Sequence, residues 1–221
     1  HSDRYAMAQE WFEYVQKLWT CDTAFDWEGD FYQGKGVYSL PHPVQPKMPI
    51  INAAGSEEGR VFAMRNADFL FTPVFDFDQA KATVTDITER ASSVNRKVDV
   101  LTLCTVVCRP TQQEAEDYLH WYADEQADWG AVDNLMTLQG MHAQSFTPEA
   151  LALYRDRMAA GHGGFPLVGT PDTIADLLEK LSETGVAGTT LAFVDYAKEF
   201  PYFRQEVLPR LEAKGLRQPA N

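Results

Sequence analysis

From Pro49 onward the chain alternates between short apolar runs and longer amphipathic stretches, and this alternation limits the fold more than any other feature. Apolar Ile50-Ile51-Asn52-Ala53-Ala54 precedes a helical stretch at 57–65, and 67–74 precedes another at 77–92. The run 98–107 is followed by helical segments within 111–139 and again at 148–160. Leu167-Val168-Gly169-Thr170-Pro171 then starts a helix to about Thr184, 189–194 reads as a strand, and 199–214 closes the chain as a helix. Pro49, Ala67, Val98 and Thr189 thus head four strands. Each is apolar enough to be covered on both faces, which indicates parallel pairing through right-handed helical crossovers and an α/β architecture. Four such strands make either a small open sheet or half of an eight-stranded barrel, and periodicity does not choose between them.

Local signals sharpen this outline. Thr111-Gln112-Gln113-Glu114 has the capping-box pattern, and Thr147-Pro148 and Thr170-Pro171 each put a capping hydroxyl before a first-turn proline. The helical stretch 111–164 exceeds what one crossover needs and is expected to form an insert that packs as a lid or a subunit contact. Ahead of Pro49, Ala8, Trp11, Phe12, Val15, Leu18 and Trp19 recur at helical spacing over 2–19. Phe25-Asp26-Trp27 and Phe31-Tyr32 flank Glu28-Gly29-Asp30 and read as a surface hairpin, and proline-rich 40–49 runs on in extended form.

Composition narrows the function. With 45% apolar residues the chain can build one sizeable core, so 1–221 is read as a single domain. No apolar run approaches the roughly 18 residues of a membrane helix, and the first twenty residues are amphipathic rather than a signal peptide. The 19 basic against 32 acidic residues give a net charge of −13, the wrong sign for nucleic acid. Cys21, Cys104 and Cys108 form neither a disulfide framework nor a ligand cluster, which fits a reducing cytoplasm, and the scattered histidines predict no metal.

At Ile50 to Arg60 a buried strand runs through small residues into a helix whose first backbone N–H groups need acceptors. Gly55 lets backbone approach an anion closely, and Ser56 can donate its hydroxyl, so the turn suits a phosphate. The plainer role is that Ser56 caps the helix and Gly55 relieves backbone strain.

His1-x-x-Arg4-Tyr5 opening a helix, an extended Pro-x-Pro entry, a strand ending Gly55-Ser56 and a late Val168-Gly169-Thr170-Pro171 together resemble the bacterial-luciferase-like flavin monooxygenases, nearest to the pyrimidine, sulfone and alkanesulfonate monooxygenase group. The likeness spans 1–19, 43–68 and 165–208. It implies a (β/α)8 TIM-type barrel, of which this chain is the carboxy-terminal half, since the first four strands have no counterpart here. It implies reduced FMN as cofactor, held chiefly at its phosphate by Arg4, Tyr5 and Ser56 with Gly55 in the same loop. A planar cationic fork and a neutral hydroxyl both suit phosphate oxygens.

The resemblance further implies a two-component oxidoreductase, in which a separate flavin reductase supplies the reduced flavin and one oxygen atom of O2 enters a small organic substrate such as a pyrimidine or organosulfur compound. A homo-oligomer is expected, and this half alone is expected to be inactive. No catalytic residue is assigned, because the groups facing the flavin ring belong to the other half. Two alternatives stand: a deazaflavin-dependent oxidoreductase of the same fold, and a catalytically silent truncated or assembly module.

Other candidates have plainer roles beside functional ones. His1 reads as a polar helix start, and Asp195 as the cap of the last helix. His162, in Gly161-His162-Gly163-Gly164, lies in a glycine loop of the kind that borders active sites or merely connects. Cys104 and Cys108 share a strand face as core residues, and His142 with Trp121, Trp129 and Met136 is expected to pack the insert.

Overall fold

The computed structural model describes residues 2–53, 55–141 and 147–219, with the side chains of Ser2 and Asp3 left aside; His1, Ala54 and His142 lie outside the described residues. The chain divides into two compact units, one formed by His1–Leu70 with Glu89–Val98 and the other by Phe71–Thr88 with Asp99–Asn221.

In the first unit, helix α1 (Ser2–Thr20) is followed by an antiparallel hairpin, β1 (Phe25–Glu28) and β2 (Gln33–Val37). The hairpin is the expected one, with its second strand beginning at Gln33 rather than Phe31. Glu10 of α1 locks the turn: its carboxylate accepts the backbone N–H groups of Phe31 (2.9 Å) and Tyr32 (2.8 Å) and the Trp27 indole N–H (3.2 Å). Next come β3 (Ile51–Asn52), α2 (Glu57–Asn66) and β4 (Phe69–Phe71), with β3 and β4 paired in parallel, Ile51 opposite Phe69. At the start of β3, Asp68 gathers the Lys47 ammonium and the Ile50 N–H, with the Arg96 guanidinium 4.0 Å away.

Helix α3 (Phe77–Ser93) leads to β5 (Asp99–Cys108), the central strand of the second unit. It pairs in parallel with β6 (Phe165–Gly169), Cys104 opposite Phe165, and with β7 (Gly188–Ala192), Leu101 opposite Gly188. Strand β6 is a correction to the four-strand reading, making five parallel strands among the described residues. Its Phe-Pro start and Gly169 end looked like a lead into the next helix, because proline cannot donate a ladder hydrogen bond and the Thr170-Pro171 cap dominated the local signal.

The insert contains α4 (Gln112–His120), a π-helical turn over Trp121–Glu125, α5 (Trp129–Leu138) and α6 (Pro148–Gly161). Thr111 closes a full capping box with Glu114, and Thr147 and Thr170 cap as their spacing indicated. Trp121, at the start of the π turn, is half exposed, whereas Met136 is buried with Val132, Tyr154 and Met158. Helices α7 (Pro171–Glu183) and α8 (Tyr196–Ala213) complete the chain. α8 starts three residues earlier than 199, with Asp195 as its cap accepting the Lys198 N–H at 3.1 Å. Cys104, Val106, Cys108, Phe165 and Leu167 pack with Ile174, Leu181, Phe203 and Val207 into the core of this unit. No described helix is long and apolar enough to cross a membrane.

Candidate functional site

The loop from β3 into α2 is built by local chemistry. Ser56 adopts an extended backbone (φ −83°, ψ 160°), and its Oγ accepts the Gly59 N–H at 3.2 Å, so it does cap α2. This leaves the N–H groups of Glu57 and Glu58 among the first-turn donors that an α-helix cannot pair internally. Gly55 is exposed, and a Cβ added to it would meet nothing within 4 Å. Open space, not internal crowding, lies beside it.

Helix α1 brings the second hydroxyl. Gln9 and Asn66 pair through their amides (Asn66 Nδ2 to Gln9 Oε1, 2.6 Å; Gln9 Nε2 to Asn66 Oδ1, 3.2 Å), and the Phe62 ring packs against Tyr5 and Phe12 at 6.0 and 6.2 Å. That clamp sets the Tyr5 hydroxyl 3.3 Å from Ser56 Oγ. Two hydroxyls 51 residues apart in sequence therefore meet at the start of α2. The pair consumes one hydroxyl proton, so if Tyr5 donates, Ser56 Oγ accepts twice and its own proton is directed elsewhere. Arg4 is exposed on the same turn of α1 as Tyr5.

Charge at this end of α2 is mixed. Glu57 and Glu58 occupy the first turn, but the Arg90 guanidinium grips both Glu57 oxygens, and its hydrogen bond holds that carboxyl below the usual carboxylate range. Arg60, one turn along, has a buried Nε without a hydrogen-bond partner among the described residues, as does Asn52 Oδ1 at the end of β3. Arg60 and Arg90 thus lie close enough to Glu57 to act on its charge, beside two hydroxyls and a helix terminus, surroundings compatible with a phosphate monoester. Sequence reasoning named Arg4, Tyr5, Gly55 and Ser56. It missed Arg60 and Asn52, although both stood in the same strand-to-helix stretch.

Of the remaining candidates, Asp195 is a cap, and Cys104 and Cys108 are buried core thiols. His162 ends α6 in a left-handed conformation.

The family model described as luciferase-like monooxygenase matches residues 1–188. The FMNH(2)-dependent dimethylsulfone monooxygenase of Pseudomonas fluorescens is 31% identical over 97% of this chain and 60% of its own length. The dimethyl-sulfide monooxygenase of Hyphomicrobium sulfonivorans is 28% identical over 99% of this chain and 56% of its own. Among solved structures, that of DmoA from Hyphomicrobium sulfonivorans superposes with a TM-score of 0.84 at 24% identity, covering 100% of this chain and 57% of that one, which shows a shared fold. The chain spans 56–60% of the length of these relatives.

Proposed function

Because this chain belongs to the luciferase-like monooxygenases, we propose that it is the carboxy-terminal half of a reduced-FMN-dependent monooxygenase barrel, one domain over 1–221, whose start of α2 anchors the flavin phosphate. The observation that carries the reading is the Tyr5–Ser56 hydroxyl pair, 3.3 Å apart at a helix N-terminus with open space at Gly55. Ser56 would donate to a phosphate oxygen, Tyr5 would hold that hydroxyl in place or donate in turn, and Arg4 would supply charge from α1. The N–H groups of Glu57 and Glu58 add the positive end of the helix.

Reduced FMN, when bound, would supply the electrons that let one atom of O2 enter the substrate. A separate flavin reductase would deliver it, in the cytoplasm, to a homo-oligomeric enzyme. The 111–164 insert would shield the reacting centre from water. The substrate is proposed to be a small organosulfur compound, in keeping with the sulfone and sulfide monooxygenases it resembles.

Flavin titration tests the anchor. In the full-length protein, Ser56→Ala and Tyr5→Phe should each weaken FMN binding by about tenfold, the worth of one hydrogen bond to a charged group. Unaltered affinity in both variants rejects the site. Formation of an oxygenated product that requires NADH, FMN, a flavin reductase, O2 and this protein together separates the monooxygenase from a deazaflavin enzyme, which incorporates no oxygen; oxygen uptake is compared with the reductase alone, because free reduced FMN also consumes O2.

A further inference from the structure

We propose that a groove in the helical insert, about 500 Å³ in volume, binds an amphiphilic organic cation, an ammonium group carried on an apolar body. The groove lies wholly within the second unit and is independent of the flavin reading.

Its two long walls follow from helical spacing. On α4 and the π turn that continues it, Glu116, Leu119, His120 and Ala123 recur at near-helical intervals and line one side. On α6, Leu153, Asp156, Arg157 and Ala160 stand at i, i+3, i+4 and i+7 and line the other. Tyr154 and Met158 of α6 are buried with Val132 and Met136 of α5, which seats the helix and leaves the neighbouring stripe to face the groove. The Tyr122 hydroxyl donates to the Ala160 carbonyl at 2.9 Å and ties the π turn to the end of α6. Trp129 and Pro166 complete the lining, and Leu153 is 48% exposed within it. A volume of this size suits a small molecule, for which pockets run to about 300–1,000 Å³.

Charge decides which molecule. Glu116, Asp124 and Asp156 bring three carboxylates to an otherwise apolar lining. Glu116 accepts the Gln112 amide at 2.8 Å, and neither it nor Asp156 forms an ion pair among the described residues. Asp124 faces His120 Nδ1 at 3.1 Å. The nearby cations are committed elsewhere. Arg155 forks onto Asp133 at 2.6 and 3.0 Å while its guanidinium lies 4.1 Å from the Trp129 ring centre. Arg157 donates to the Phe75 carbonyl at 2.7 Å, and its Nε and Nη1 are buried, out of a ligand's reach. An anion entering the groove would meet like charge. A neutral apolar molecule would cover the leucines and crowd water away from unpaired carboxylates, whereas an ammonium on an apolar body satisfies both parts of the lining.

Calorimetry on the full-length protein with FMN, using 4-phenylbutylamine and 4-phenylbutyrate as probes, tests this, because the two share a body and carry opposite heads. The amine should bind once per chain, about tenfold or more tighter than the carboxylate, and should weaken as salt rises from about 0.05 to 0.5 M. Glu116→Gln combined with Asp156→Asn, both at exposed positions, should weaken the amine about tenfold at unchanged Tm. Leu153→Ser, outside the buried cluster, should weaken both probes. Asp117→Asn combined with Glu149→Gln removes the same charge from these helices outside the groove and should leave the amine affinity unaltered. Equal affinity for the two probes, or no binding of the amine, overturns the proposal. So does amine binding that survives the paired groove substitutions, or that falls equally in the control pair, which would assign it to the chain's overall charge. FMN binding is read in the same samples, so its loss bears on the flavin reading alone.

Discussion

Cys104 and Cys108 lie four residues apart on the core-facing side of β5, with Val106 between them on that face, and burial pushes both thiols up to about 11. An acid whose folded pKa is raised stabilises the fold fully below its unfolded value near 9, and that stability is lost as pH rises through 11. For Cys104 the loss at pH 10 is on the order of 1 kcal/mol. The Tm should therefore drop more steeply between pH 8.5 and 10.5 in wild type than in Cys104→Ala, and parallel profiles would reject the burial argument. Native alkylation at pH 8 should label only half-buried Cys21 of these three, because neither buried thiol forms appreciable thiolate. At the same scale, Ser56 takes the plainer of its two sequence readings, the cap of α2, and also meets Tyr5. The capping role was legible from four consecutive residues. The meeting with Tyr5 was not, because it depends on how α1 packs on α2 through Gln9, Asn66 and Phe62.

Elements in this chain are held by a few polar anchors. Burial raises the Glu10 carboxyl, but the N–H donors of Phe31, Tyr32 and Trp27 outweigh it and hold the group below the usual range. A depressed carboxylate stabilises above its unfolded value and loses that contribution as pH falls through the folded one, so the hairpin should loosen on acidification below about pH 4.5. Glu10→Gln should free the hairpin at neutral pH, read as faster proteolysis within 25–37 at unchanged global Tm. In the insert, Thr111→Ala removes one half of the capping box and should cost about 1 kcal/mol in denaturant unfolding. Gly164→Ala should cost about 2 kcal/mol, since the Thr105 hydroxyl and backbone N cannot both retreat. The helices α2, α3, α6 and α7 stand within one or two residues of their expected bounds, and α4 and α5 fall inside the stretch 111–139 that was read as helical, because caps and apolar spacing are written within each local sequence. Strand β6 and the π turn at Trp121 were less legible: the first is decided by pairing with β5, and the second by how the insert packs.

At the scale of the molecule, each unit leaves a strand edge without a partner among the described residues: β3 pairs only with β4, and β7 only with β5. Ile51 on β3 is 59% exposed, which is costly for an isoleucine on a parallel strand. The chain produced alone should associate in size-exclusion chromatography and bind a hydrophobic dye despite its charge of −13, and a dye-silent monomer would contradict the half-barrel reading. Sequence by itself determined the alternating architecture, the caps and the helical stretches of the insert, because hydrophobic period, capping chemistry and short motifs are written over a few neighbouring residues; the residues proposed for the anchor were named from short motifs of the same kind. Tertiary structure alone decided that Tyr5 reaches Ser56, that β5 is central with β6 and β7 beside it, and that the 161–164 loop lies on Thr105. Each of these joins segments dozens of residues apart, where what matters is which faces bury each other, a property no local stretch contains.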